Sequence, residues 1–63
     1  MSAGDWPALM STALAAKYLD TSERTIRDLA RNGDLPQTRL GANAHPKYAR
    51  EDLDALIRRR RAS

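Results

Sequence analysis

The chain has 63 residues, of which eleven are Lys or Arg and eight are Asp or Glu, for a net charge of +3. That length holds one domain with a marginal core. With no cysteine and a single histidine, disulfide frameworks and Cys-based zinc sites are excluded, and neither a metal nor another cofactor is expected.

No apolar run approaches the about 20 residues of a membrane-spanning helix. The first residues have neither a basic n-region nor a long apolar stretch, so a cytoplasmic protein is expected. Charge is uneven. Residues 1–31 carry four bases and four acids, whereas residues 32–63 carry seven bases and four acids. A pI of about 10 suits a polyanionic partner. Small basic proteins also bind acidic proteins and membrane surfaces, so charge alone does not choose.

In chain order, residues 1–8 read as a flexible arm, punctuated by Ser2, Gly4 and Pro7. Trp6 has two readings, an aromatic lid docked on the core or a direct nucleic-acid contact, and burial is the usual fate of Trp. From Leu9 to Leu19 the composition favours a helix capped by Ser11 or Thr12, with Leu14, Ala15, Tyr18 and Leu19 inward. Its alanines let another helix approach closely.

The stretch Asp20 to Gly33 is the one the rest is built to hold. It opens on three candidate N-caps (Asp20, Thr21, Ser22) and closes on Asn32-Gly33, with Pro36 preventing resumption. At 100° per residue, Ile26, Leu29 and Ala30 share one narrow side. The opposite side carries Arg24, Arg27, Asp28 and Arg31. Only Asp20-Thr21 separates this helix from the previous one, and so short a link forces the sharp angle of a helix-turn-helix. A helix anchored on one face with three guanidinium groups on the other suits a DNA major groove. The spacings Arg24/Asp28 and Asp28/Arg31 also suit ordinary solvated ion pairs.

After Gly33, Leu35 to Leu40 reads as extended, Gly41 to Ala44 as a turn, and His45 to Tyr48 as a short return strand. Two strands joined by a small loop after such a helix make a wing. Arg50 to Arg61 then reads as a third helix, with acids first and bases last as the helix dipole prefers. Its inward stripe is Leu53, Leu56 and Ile57, and the run Arg58 to Arg61 is expected to fray. The expected fold is mainly α with a small β-hairpin: a winged helix-turn-helix over 9–58 and a basic tail over 59–63.

The motifs Leu9-Met10-Ser11-Thr12 through Ala15-Ala16-x-x-Leu19, Thr21-Ser22-x-x-Thr25-Ile26-Arg27, Asn32-Gly33-x-Leu35-Pro36, Arg39-Leu40-Gly41 and Tyr48-Ala49-Arg50-Glu51-Asp52-Leu53-Asp54-Ala55-Leu56 follow in that order. Together they resemble the small winged-helix DNA-binding domains of the excisionase (Xis) and MerR-like superfamily. The resemblance implies a phage or mobile-element protein of the bacterial cytoplasm and nucleoid. Such a protein binds attachment-site DNA cooperatively, bends it, and directs a tyrosine integrase towards excision. It implies no active site, membrane or small molecule. Close relatives are small transcriptional regulators. It also places Glu23, Arg24, Thr25 and Arg27 on the recognition helix, with Arg39 and Lys47 near the DNA backbone. Two departures stand out: the wing tip Gly41-Ala42-Asn43-Ala44 lacks the Arg or Lys of many relatives, and no effector domain or coiled coil follows the third helix.

The chemistry of the side chains refines these roles. Arg24 and Arg27 suit guanine O6 and N7 through a bidentate fork. Glu23 either accepts from cytosine N4 or favours the helix dipole. Thr25 holds a phosphate or supports the helix start. Ser22 and Arg31 are assigned to phosphate, with Arg39, Lys47 and Tyr48. Tyr48 either turns its hydroxyl to phosphate or packs in the core. Asn43 and His45 are assigned to the wing and minor groove, with a surface-turn role open for His45. For Arg58, Arg59, Arg60 and Arg61, a phosphate grip, a contact with a protomer or integrase, and a solubility role all stand. A protein-binding adaptor is the competing function from another class. An enzyme is not expected, since the carboxylates cluster at a helix start.

Overall fold

The computed structural model describes residues 6–62. Their elements are β1 (Leu9–Met10), α1 (Thr12–Leu19), α2 (Glu23–Arg31), β2 (Tyr48–Ala49) and α3 (Arg50–Ala62). Three helices and a two-stranded antiparallel sheet make the mainly helical winged helix-turn-helix expected from the sequence.

Local chemistry sets each boundary. Ser11 caps α1 by accepting from the Leu14 amide at 3.2 Å. Of the three candidate caps for α2, Ser22 serves, accepting from the Thr25 amide at 3.1 Å. Both satisfy amides that the first turn leaves free. Both α1 and α2 end in a Schellman pair of hydrogen bonds. After α1, Asp20 N–H donates to Lys17 O (3.1 Å) and Thr21 N–H to Ala16 O (2.8 Å). After α2, Gly33 N–H donates to Ala30 O (3.2 Å) and Asp34 N–H to Leu29 O (2.9 Å). Such a closure needs one left-handed residue. Gly33 takes it at φ 86° and Asp20 at φ 54°.

Asp20 is thus an L-residue in the tight turn between α1 and α2. The left-handed region costs an ordinary residue roughly 1–2 kcal/mol, and glycine avoids that cost while losing backbone entropy. Aspartate tolerates that region better than most residues, so Asp20→Gly is expected to change stability by no more than about 0.5 kcal/mol, whereas a β-branched Asp20→Val is expected to lower the urea midpoint.

The core joins all five elements. Met10, Ala15, Ala16, Ile26, Leu35, Tyr48 and Leu53 form one buried cluster, and Leu14, Leu19, Leu29 and Ala30 pack against it. Ala15 and Ala16 bring α1 close to α2, the pair of helices in most extensive contact. β1 pairs with β2 in the register Leu9↔Ala49 and Met10↔Tyr48. This strand lies where the sequence suggested only the approach to a helix, and it buries Met10 in the core.

The wing is slighter than expected. Its two arms meet in a single bridge, where Thr38 and Lys47 exchange both backbone hydrogen bonds (2.8 and 2.7 Å). Pro36, which has no N–H to donate, falls opposite Ala49 where the next hydrogen-bonded pair would form, so the bridge does not grow into a ladder on that side. From Lys47 the chain runs directly into β2, so the wing is rooted in the core sheet.

Residues 1–5 of the proposed arm lie outside the described residues. Trp6 docks: its ring meets Tyr18 edge-on at 4.9 Å, its carbonyl accepts from Arg50 Nη1 at 2.7 Å, and Ala8 O accepts from the Arg50 amide. Beside it, Tyr18 OH donates to Asp54 Oδ1 at 2.5 Å. That bond, with desolvation and the Asp54 charge, raises the Tyr18 pKa above its usual value of 10.0. A raised pKa means that the folded state holds the phenol proton more tightly than the unfolded chain. The stabilisation is therefore full below pH 10 and is lost as pH rises through the folded pKa. Tyr18→Phe is expected to cost about 1 kcal/mol at neutral pH and to remove this alkaline loss, as measured by denaturation on both sides of pH 10.

Candidate nucleic-acid interface

On α2, burial of Ile26, with Leu29 and Ala30 half-buried beside it, turns Arg24, Arg27 and Arg31 outward. All three guanidinium-bearing residues are exposed and Asp28 is half-buried among them, the arrangement the periodicity predicts. Two ion pairs lie along the row: Arg27–Glu23 at 3.6 Å and Arg31–Asp28 at 3.3 Å. The first differs from the sequence expectation, which paired Asp28 with Arg24. Both are surface pairs worth about 0.5 kcal/mol or less, so either arginine exchanges its carboxylate for a stronger acceptor at small cost.

The flanks of α2 face different neighbours. On one side Glu23 and Arg27 line a cleft with Ser11, Thr12 and Ala13 at the start of α1 and with His45, Pro46 and Lys47 of the wing. The α2 helix, the α1 N-terminus and the wing's return arm therefore meet in one cleft. On the other side Thr25 and Leu29 share a groove with Leu19 and Thr21, and with Leu56, Ile57, Arg60 and Arg61 of α3. Thr25 is committed locally as well: its hydroxyl lies 2.9 Å from that of Ser22.

Two groups of assignments change. Tyr48 leaves the phosphate set: its side chain is fully buried, and its hydroxyl accepts from Gln37 Nε2 at 3.0 Å inside the fold. Arg58 to Arg61 do not fray but continue α3 through its last turns. Two of them turn back on the molecule, with Arg59 Nη2 donating to Asp34 O at 2.9 Å and Arg60 Nη2 3.8 Å from Asp34 Oδ2. These contacts tie the end of α3 to the loop that leaves α2. Arg58 and Arg61 are exposed.

On the wing, Arg39 Nη1 donates to Ala44 O at 3.2 Å, which braces the loop, and Ala44 N–H donates to Gly41 O at 3.2 Å, which closes the expected turn. Asn43 and His45 are exposed on that loop, while Lys47 is half-buried at its root. Sequence reasoning missed Thr12 in the cleft and Asp34 as the anchor for α3, and it did not mark Leu40 as a large hydrophobic left 70% exposed. Asp34 announces itself only by its place next to Gly33. Leu40 looks like one more apolar residue of a strand.

A helix-turn-helix domain family model matches residues 9–61, from the start of β1 to the last turn of α3. The chain belongs to that helix-turn-helix domain family, and its role is DNA binding. No curated protein matches the chain. Among the described residues no helix is long and apolar enough to cross a membrane.

Proposed function

We propose that this protein is a sequence-specific excisionase, a recombination directionality factor. It binds attachment-site DNA cooperatively, bends it, and turns a tyrosine integrase towards excision. The observation that carries the reading is the cleft that Glu23 and Arg27 share with the wing arm at His45 and Lys47, beside the exposed Arg24 and Arg31 of the same helix. A recognition helix flanked by a wing engages two grooves at once, and gripping both is how a small domain imposes a bend.

In this reading Arg24 and Arg27 reach base edges, while Glu23 selects cytosine or sets the helix start. Ser22, Thr25, Arg31, Arg39 and Lys47 position the DNA backbone, Asn43 and His45 lie at the wing groove, and Arg58 and Arg61 extend the basic surface. Recombination of a paired attachment-site substrate by the cognate integrase, with and without this protein, tests it. Excision that depends on the protein is the expected result. Equal excision in its absence, with promoter DNA still bound, would move the assignment to a small MerR-like transcriptional regulator.

A further inference from the structure

We propose that the wing tip reads DNA through an apolar wedge: Leu40 enters the minor groove beside the major groove occupied by α2 and unstacks a deformable base step there. The proposal rests on the DNA-binding reading of α2 and adds a contact of different chemistry. Leu40 is 70% exposed, whereas the other exposed large hydrophobic among the described residues, Leu9, is 38% exposed and held in β1. A lone surface leucine is ordinary; its setting here is not.

Between Arg39 and Lys47 the chain has no Lys or Arg. The Arg39 guanidinium donates through Nη1 to Ala44 O and braces the tip, which leaves its remaining donors for the DNA backbone at the base of the loop. Beside Leu40 the tip Gly41-Ala42-Asn43-Ala44 is small apart from the exposed, uncharged Asn43, and the Thr38–Lys47 bridge with the Gly41–Ala44 turn holds the loop in shape. A narrow, braced tip that carries one branched apolar side chain fits a minor groove about 6 Å wide. Apolar side chains, Leu among them, act as wedges that unstack base steps and kink the duplex, and pyrimidine–purine steps yield most readily. Because the return arm at His45 to Lys47 lines the same cleft as Glu23 and Arg27, and Lys47 is bridged to Thr38 of the arm that carries Leu40, seating α2 delivers this tip to the adjoining groove.

The test uses the full chain and a duplex selected by it from a random pool, with 2-aminopurine placed in turn at each TA or CA step and a fluorophore pair on the ends. Binding is expected to raise 2-aminopurine fluorescence at one step outside the α2 footprint and to shorten the end-to-end distance. Leu40→Ala is expected to abolish both signals and weaken binding about tenfold, or about 1.4 kcal/mol. Its log–log salt slope should stay unchanged, since no charge is lost. Leu40→Met should retain the signals. If Leu40→Ala binds and bends like the parent while Arg27→Ala loses binding, the wedge is wrong and the α2 reading stands. A parent complex with no step brightened also rejects the wedge. A parent chain that selects no duplex overturns both.

Discussion

Arg27→Ala is expected to weaken binding to a selected duplex at least tenfold, about 1.4 kcal/mol, and to relax base preference at one position of the site. Arg27 sits near the centre of the exposed row, beside the cleft shared with the wing, and its ion pair is the exposed one with Glu23. Removing the side chain therefore sacrifices little folding free energy, because such pairs contribute about 0.5 kcal/mol or less. A guanidinium on guanine donates two hydrogen bonds that water does not replace in the same geometry, and one good bidentate contact discriminates by about 1–3 kcal/mol. Loss of binding with an unchanged melting temperature is the signature. A change in affinity that is uniform across all sequences would instead place Arg27 on phosphate. Unchanged binding to a protein partner together with unchanged DNA affinity would favour the adaptor.

Ile26→Ala, one position away, is expected to do the reverse. Ile26 is fully buried in the cluster that includes Met10, Ala15, Leu35, Tyr48 and Leu53. Truncating a buried isoleucine to alanine costs about 2–5 kcal/mol, which combines lost transfer free energy with the cavity left behind. A domain of this length rarely holds more than about 3–5 kcal/mol in all. The variant should be largely unfolded by far-UV circular dichroism. Saturating duplex should restore part of the helical signal, since a ligand at about 100 times its dissociation constant adds about 2.7 kcal/mol. A fully folded Ile26→Ala chain would mean that α2 is held by something other than its apolar face. The pair of substitutions separates the two faces of one helix, so one reports on recognition and the other on folding.

The same two faces are legible in the sequence, because helical signals are local and periodic. Ile26, Leu29 and Ala30 recur at helical spacing, Ser11 and Ser22 stand where free amides need acceptors, and Gly33 stands where φ must be positive. The outward row on α2 follows from the same wheel. The extended segments are harder to read, since two-residue strands carry almost no period. Met10 and Leu35 are as deeply buried as Ile26, yet nothing near them in sequence marks them as core.

Tyr48 illustrates the limit on the site. An amphipathic tyrosine next to Lys47 suits either a phosphate contact or the core, and its full burial and the Gln37 hydrogen bond decide for the core. The arginines at the end of α3 show the same limit for charge. A run of four bases reads as solvated and loose, whereas Asp34, distant in sequence, draws Arg59 and Arg60 back onto the fold. Long-range partners of this kind leave no mark in spacing.

If the exposed row of α2, with the wing beside it, is the surface that meets duplex DNA, binding must perturb those residues first. Titration of the isotopically labelled protein with a selected duplex, followed residue by residue through amide and guanidinium NMR shifts, tests this most directly. The largest shifts are expected on Arg24, Arg27 and Arg31, on the α1 start at Thr12, and on the wing from Arg39 to Lys47, while the Trp6–Tyr18–Asp54 cluster stays still. Shifts centred on that cluster or on the exposed Glu51 of α3, with α2 silent, would contradict it.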